Sequence, residues 1–147
     1  MKEVSIYIVT GIRGRWQQDG HIGYALEYYK ENSKYPAVIR EVVPVQQMNE
    51  NRSTLESLIM ALHRMREKCI LTVYTESKYL YSGYEDTEYV KRWKQNDWTR
   101  SDGHEIKNRD KWQELDRLMQ GNLVRILLNE TNAYTESLRQ EIKMKER

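Results

Sequence analysis

The sequence predicts a mixed α/β domain in which one five-stranded sheet is flanked by helices. Three strand-like segments precede the first helical segment, which is typical of an antiparallel meander. Strand-like and helical segments then alternate, which favours parallel strands added to the same sheet. The chain has 147 residues, a length that fits one compact core. We therefore predict a single domain over residues 1–147.

The five predicted strands are rich in β-branched and aromatic residues, which favour extended backbone. They are Val4–Thr10, His21–Lys30, Ala37–Val45, Cys69–Thr75 and Leu123–Leu128. Pro44 lacks a backbone N–H and cannot donate a hydrogen bond to a neighbouring strand. We therefore expect the third strand either to lie at an edge of the sheet or to end near Pro44. The fourth segment is almost continuously apolar, which predicts a strand buried on both faces.

The first predicted helix begins near Asn51, where the spacing of apolar residues changes to a helical period. Its apolar stripe consists of Leu55, Leu58, Ile59, Leu62 and Met65. Asn49, Asn51 or Ser53 could cap its start, and Glu56 could complete a capping box with Ser53. Further helices are predicted in the tyrosine-rich stretch 77–84 and over residues 87–96, 108–120 and 135–145.

Composition excludes several classes of protein. The formal net charge is only +2, so a nucleic-acid-binding surface would have to be local. Cys69 is the only cysteine, which excludes an intrachain disulfide and a thiolate zinc site. The apolar run at the start is too short for a signal peptide or a membrane span, so we expect a cytoplasmic protein without a membrane partner.

Several local strings, in this order, resemble the ribonuclease H family of bacterial type. They are GHIGYALEYY (20–29), NRSTLESLIMAL (51–62), LTVYTES (71–77), RWKQNDW (92–98) and IKNRDKWQELDRLM (106–119). The resemblance extends from about Val4 to Glu141. It implies a ribonuclease H-like fold and, for a typical member, cleavage of the RNA strand of RNA–DNA hybrids by two divalent ions held by four carboxylates.

The resemblance also indicates where those carboxylates should lie. The four positions fall on Thr10, Thr54, Glu76 and Gln140. Only Glu76 is an acid, which makes it the one candidate metal ligand among them. An uncertainty of one residue could select Glu141 for the last position, and the family's mobile-loop histidine falls near Glu130, where no histidine lies. Glu130 and Glu141 are therefore candidate stand-in acids.

Two segments are candidates for nucleic-acid binding. The first corresponds to the basic, tryptophan-bearing protrusion with which the family grips the DNA strand; it contains Lys91, Arg92, Trp93, Lys94, Trp98 and Arg100. The second is Asn51 and Arg52 at the start of the first helix, where family asparagines approach the minor groove. Alternatively, the tryptophans of the first segment could anchor a helix on the body of the domain, and Asn51 could cap the first helix.

Three functions remain open from the sequence. The leading prediction is a ribonuclease H-like protein with a degenerate site that lacks two-metal nuclease activity, needs no cofactor and still binds an RNA–DNA hybrid or another nucleic acid. The alternative is a Mg²⁺- or Mn²⁺-dependent ribonuclease with an atypical set of acids, Glu76, Glu130 and Glu141. The third is a protein-interaction scaffold, consistent with a net charge near zero and eleven tyrosines.

Overall fold

A computed structural model describes residues 1–147, which form one five-stranded sheet in the order β3-β2-β1-β4-β5. The strands are β1 (Lys2–Thr10), β2 (Gln18–Tyr28), β3 (Ala37–Met48), β4 (Cys69–Thr75) and β5 (Leu123–Leu128). The first three pair in antiparallel fashion, while β4 pairs in parallel with β1 and β5 with β4. The predicted fold class is confirmed, and β3, which contains Pro44, lies at an edge as expected.

The register of β1 and β4 positions the site. Tyr7 pairs with Tyr74 across the two parallel strands, so the strands reach their carboxyl ends together, at Thr10 and Thr75. Ligand sites of α/β sheets form at this edge because the loops that follow adjacent parallel strands meet there.

The helices are α1 (Glu50–Leu62), α2 (Lys78–Tyr81), α3 (Tyr89–Gln95), α4 (Arg109–Met119) and α5 (Thr135–Lys145). Asn49 caps α1, since its side-chain oxygen accepts a hydrogen bond from the Arg52 backbone N–H at 2.9 Å. The capping box predicted for Ser53 does not form. The Ser53 hydroxyl donates to the Glu50 carbonyl at 2.9 Å, and Glu56 instead pairs with Lys111 on α4 at 3.0 Å.

The tyrosine-rich segment differs from the single short helix that the sequence predicts. Helix α2 ends at Tyr81 and continues as a π-helical turn, Ser82–Asp86. Within this turn the backbone of Gly83 lies against the buried ring of Trp112, where a Cβ atom would come within 2.5 Å of a ring carbon. Only glycine permits so close an approach.

Helices cover both faces of the sheet. The larger core contains 20 buried residues, most of them from β1, β2, β4, β5, α1 and α4, with Trp112 only 1% exposed. On the opposite face, Leu138 and Ile142 of α5 pack against Tyr7, Val9 and Ala25. Helix α5 thereby crosses the sheet beside the carboxyl end of β1. No helix is long and apolar enough to cross a membrane.

Candidate functional site

A polar cavity of about 320 Å³ opens at the carboxyl ends of β1 and β4. It brings together Thr10, Thr54 and Glu76, three of the four positions at which the resemblance places metal-binding acids. Arg13, Glu50 and Asn129 also line it. Residues of β1, α1 and β4 therefore meet at one cavity.

Both threonine hydroxyls are already engaged in hydrogen bonds within the protein. Because the Ser53 hydroxyl donates to the Glu50 carbonyl, the 2.7 Å contact between the Thr10 and Ser53 hydroxyls has Thr10 as its donor. The Thr10 oxygen also accepts from the Ile12 N–H at 3.1 Å. The Thr54 hydroxyl donates to the Glu50 carbonyl at 2.9 Å. These neutral groups therefore satisfy one another without a bound ligand.

Glu76 is paired with an arginine from the last helix. The guanidinium of Arg139 donates a hydrogen bond to a Glu76 carboxylate oxygen and, at 3.3 Å, another to Glu136. This hydrogen bond to Glu76 raises the pKa of Arg139 above its usual value, more than burial lowers it. The only acid among the four family positions is thus balanced by a cation of the chain itself.

The sequence gives one signal for Arg139. It immediately precedes Gln140, the position to which the resemblance assigns an acid. The family resemblance predicts an acid at position 140. It does not predict that the neighbouring residue, Arg139, pairs with Glu76.

Gln140 and the two candidate stand-in acids lie elsewhere. Gln140 donates to Glu136 at 2.8 Å, and Glu141 accepts a hydrogen bond from Arg40 on β3 at 3.2 Å. Glu130 is exposed in the loop between β5 and α5. None of the three lines the cavity, and nowhere do three or more histidine, cysteine, aspartate or glutamate side chains lie close enough together to hold a metal ion.

The basic, tryptophan-bearing segment has two kinds of residue. Trp93 meets Trp112 edge-on, with ring centres 5.6 Å apart, and both Trp93 and Trp98 pack against the core. Lys94 pairs with Asp116 at 3.0 Å and Arg100 with Asp102 at 2.6 Å. The tryptophans therefore anchor this segment, and nearby acids balance part of its charge.

Two other cations of the segment have no carboxylate partner. Lys91 is exposed, and the guanidinium of Arg92 lies 5.1 Å from the ring centre of Tyr89 while donating to the Thr87 carbonyl. These two side chains carry the segment's uncompensated positive charge.

Arg52 joins the start of α1 to the start of α4. It donates two hydrogen bonds to Asp110, at 3.0 and 2.6 Å, and a third to Asn108 at 3.2 Å. The hydrogen bond from Arg52 holds the pKa of Asp110 at about 2. The neighbouring side chain of Asn51 is exposed and lines a cleft beside the first loop.

Comparisons with known proteins support the same fold and family. The family model RNase H matches residues 1–128. A ribonuclease H of Acetivibrio thermocellus is 35% identical over 118 residues, which cover 80% of this chain and 75% of that protein. A ribonuclease H of Francisella tularensis subsp. novicida is 44% identical over 68 residues, or 46% of this chain and 43% of that protein.

Two solved structures are also similar to this chain. LC9-RNase H1, described as a type 1 RNase H with the type 2 active-site motif, superposes with a TM-score of 0.74 at 22% identity, covering 97% of this chain and 69% of that one. LC11-RNase H1, solved in complex with an RNA/DNA hybrid, gives 0.60 at 15% identity, covering 98% and 99%. At these identities the likenesses concern the fold.

Proposed function

Because this chain belongs to the ribonuclease H family, we propose that it binds RNA–DNA hybrids or related duplexes without cleaving them by the two-metal reaction. The observation that carries this proposal is the pairing of Glu76 with Arg139 in a cavity whose other family positions are threonines. In this proposal the protein surface binds the nucleic acid, and the cleavage that would take place in the cavity does not occur.

The residues of the cavity do not fit a two-ion centre. Mg²⁺ and Mn²⁺ prefer carboxylate oxygens, and two ions a few ångströms apart need several such ligands to offset their mutual repulsion. Thr10 and Thr54 offer only neutral hydroxyl oxygens that are already hydrogen-bonded, and the charge of Glu76 is balanced by Arg139. Glu50, the other acid in the lining, accepts a hydrogen bond from the Gly14 N–H, so the cavity has two carboxylates where two ions need several. The cavity therefore lacks the ligand set that a two-metal step requires.

Features of the surface support nucleic-acid binding. Arg13 lines the cavity and donates to the carbonyls of Thr10 and Ile12 through one nitrogen, which leaves its other donors free. Lys91 and Arg92 lie on the segment that corresponds to the family's DNA-gripping protrusion. Cations without carboxylate partners are suited to neutralise backbone phosphates. The structure of LC11-RNase H1 with a hybrid shows that a protein of this fold can accommodate that duplex.

The test is a binding and cleavage experiment on one labelled RNA–DNA hybrid, with Mg²⁺, with Mn²⁺ and with chelator. We expect a gel shift that weakens as salt concentration rises, and no metal-dependent cleavage. Glu76→Gln is the control for cleavage. Metal-dependent cutting that this variant abolishes would contradict the proposal and favour an atypical nuclease, whereas cutting that survives it would come from a contaminating enzyme.

Binding has its own control. Lys91→Ala combined with Arg92→Ala should weaken binding and flatten its salt dependence, because fewer counterions are released. If the wild-type protein binds hybrid, duplex and single strands only weakly and without salt dependence, the nucleic-acid role is wrong, and a protein-interaction scaffold becomes the better explanation.

A further inference from the structure

The first loop presents a tryptophan to solvent. Trp16 is 73% exposed, far more than Trp93, Trp98 or Trp112. The guanidinium of Arg15 lies over its ring, 5.3 Å from the ring centre. An indole covered by a cation on one face and open to water elsewhere is a surface on which another flat π system can stack.

Hydrogen bonds brace the loop that carries Trp16. The Gly14 N–H donates to the Glu50 carboxylate at 2.9 Å, and the Gly14 carbonyl accepts from the Glu50 N–H at 3.0 Å. The Gln18 side chain donates to the carbonyls of Arg13 and Trp16 at 2.8 and 3.2 Å. Gly14 has a φ of +89°, which other residues rarely adopt. The exposure of Trp16 is therefore set by a defined loop conformation.

Trp16 forms one wall of a cleft of about 400 Å³, a volume that suits a single nucleotide. Arg15, Asn51, Tyr79 and Lys107 also line it. Arg15 and Lys107 form no ion pair, and Glu50, the only acid in the lining, already accepts the hydrogen bond from the loop. The cleft therefore combines an aromatic wall, two free cations and a free amide.

A second cleft adjoins this one. Tyr79 and Lys107 also line a neighbouring cleft of about 390 Å³, whose other walls include Trp93 and Arg100. Together the two clefts are lined by residues of the first loop and of the basic, tryptophan-bearing segment. Their aromatic and cationic side chains suit a nucleic-acid strand, which carries both bases and phosphates.

We propose that Trp16, Arg15 and Lys107 form a binding site for an unpaired nucleotide of a DNA or RNA strand. The base stacks on Trp16, while Arg15 and Lys107 contact the flanking phosphates. The base must be unpaired because both faces of a base inside a duplex are already covered by its neighbours. This site rests on the proposed nucleic-acid function and adds a preference for hybrids that carry a single-stranded extension.

The test measures dissociation constants by fluorescence anisotropy for a blunt RNA–DNA hybrid, the same hybrid with a single-stranded extension on either strand, and an oligo(dT) strand. Trp16→Ala should bind the extended hybrids and oligo(dT) about 10-fold more weakly, because the variant loses the aromatic face on which the base stacks; this loss corresponds to about 1.4 kcal/mol. Its affinity for the blunt hybrid should change by less than about twofold. Trp16→Phe, which keeps an aromatic face, should retain most of the affinity.

Tyr35→Ala provides the matched control. Tyr35 is 79% exposed in the turn between β2 and β3, at the other end of β2 from the first loop. Its removal should leave all affinities unchanged. Thermal unfolding should confirm that Trp16→Ala and Tyr35→Ala keep the fold, as expected for side chains so exposed.

The outcomes separate this site from the proposed function. If wild-type protein binds the blunt hybrid but Trp16→Ala keeps full affinity for the extended probes, only the unpaired-nucleotide site is overturned. If Trp16→Ala weakens all probes equally, Trp16 contacts the duplex and the assignment to an unpaired base is wrong. If wild-type protein binds none of the probes, both proposals fail.

Discussion

The pairing of Glu76 with Arg139 gives the sharpest prediction about the cavity. The pair joins the end of β4 to α5, and its side chains are 45% and 25% exposed. Fully exposed pairs contribute about 0.2–1 kcal/mol, whereas breaking a buried pair costs about 3–5 kcal/mol. A half-exposed carboxylate can be rehydrated when its partner is removed. We therefore expect a coupling free energy of about 1 kcal/mol, at the upper end of the range for exposed pairs.

The assay is a double-mutant cycle in urea at pH 7 with Glu76→Gln, Arg139→Met and the double variant. Each single substitution should lower the free energy of unfolding by about 1 kcal/mol, and the double variant should lose less than the sum. In 0.5 M NaCl the coupling should shrink, because the screening length is then only about 4 Å. Arg40 and Glu141, a pair at 3.2 Å on the other side of α5, provide a matched cycle outside the cavity.

The same proteins test the relation of this pair to metal ions. A divalent ion present at 100 times its dissociation constant stabilises a protein by about 2.7 kcal/mol, which corresponds to roughly 5–10 °C in Tm for a domain of this size. We expect Mn²⁺ to leave the Tm of the wild-type protein unchanged to within about 1 °C. A rise of several degrees that Glu76→Gln removes, or a coupling free energy indistinguishable from zero, would refute the reasoning.

Three further variants probe the site and the fold. The double variant Thr10→Asp, Thr54→Glu should be less stable than wild type in the absence of metal, because the new carboxylates repel Glu76. Its Tm should rise when Mn²⁺ is added. A Tm equal to that of wild type in chelator would contradict this expectation. Asp110→Asn should lower the free energy of unfolding in urea at pH 7 by about 1 kcal/mol. The value is small because the Asp110 carboxylate is exposed to solvent. Since the pKa of Asp110 is lowered from 3.8 to about 2 on folding, the wild-type advantage should be complete above about pH 4 and vanish as pH falls through 2. Trp112→Ala should cost about 3–5 kcal/mol in the same assay, because the ring is 1% exposed.

Some strands and helices begin and end where their own sequence changes, and for these the local pattern predicted the limits correctly. The predicted bounds of β4, β5 and α5 agree with the structure, because each is an apolar or amphipathic run bordered by polar residues. Strand β2 is different: it begins at Gln18 rather than His21, since Gln18 pairs with Met48 beyond an irregularity in the register. The extent of such a strand depends on its partner, which the local pattern does not contain.

Part of the site could be predicted, because the order of the strands determines where several of its residues lie. Thr10 and Glu76 lie at the ends of neighbouring parallel strands, and Thr54 lies on the first turns of α1, so the family resemblance was enough to bring them together. The partner of Glu76 was not predictable, because it depends on how α5 is rotated against the sheet. That rotation is set by Leu138 and Ile142, which pack on the sheet and leave Arg139 at the margin of the cavity.

The charge of Glu76 is balanced by a neighbouring cation of the chain. A carboxylate beside other carboxylates is stable only with cations between them, since like charges in a partly buried site repel strongly. With hydroxyls at Thr10 and Thr54, the negative charge of Glu76 is matched by the single guanidinium of Arg139. A divalent ion near Glu76 would have to displace this guanidinium or accept its repulsion. For this reason, replacement of Arg139 should most directly change how the cavity responds to metal ions.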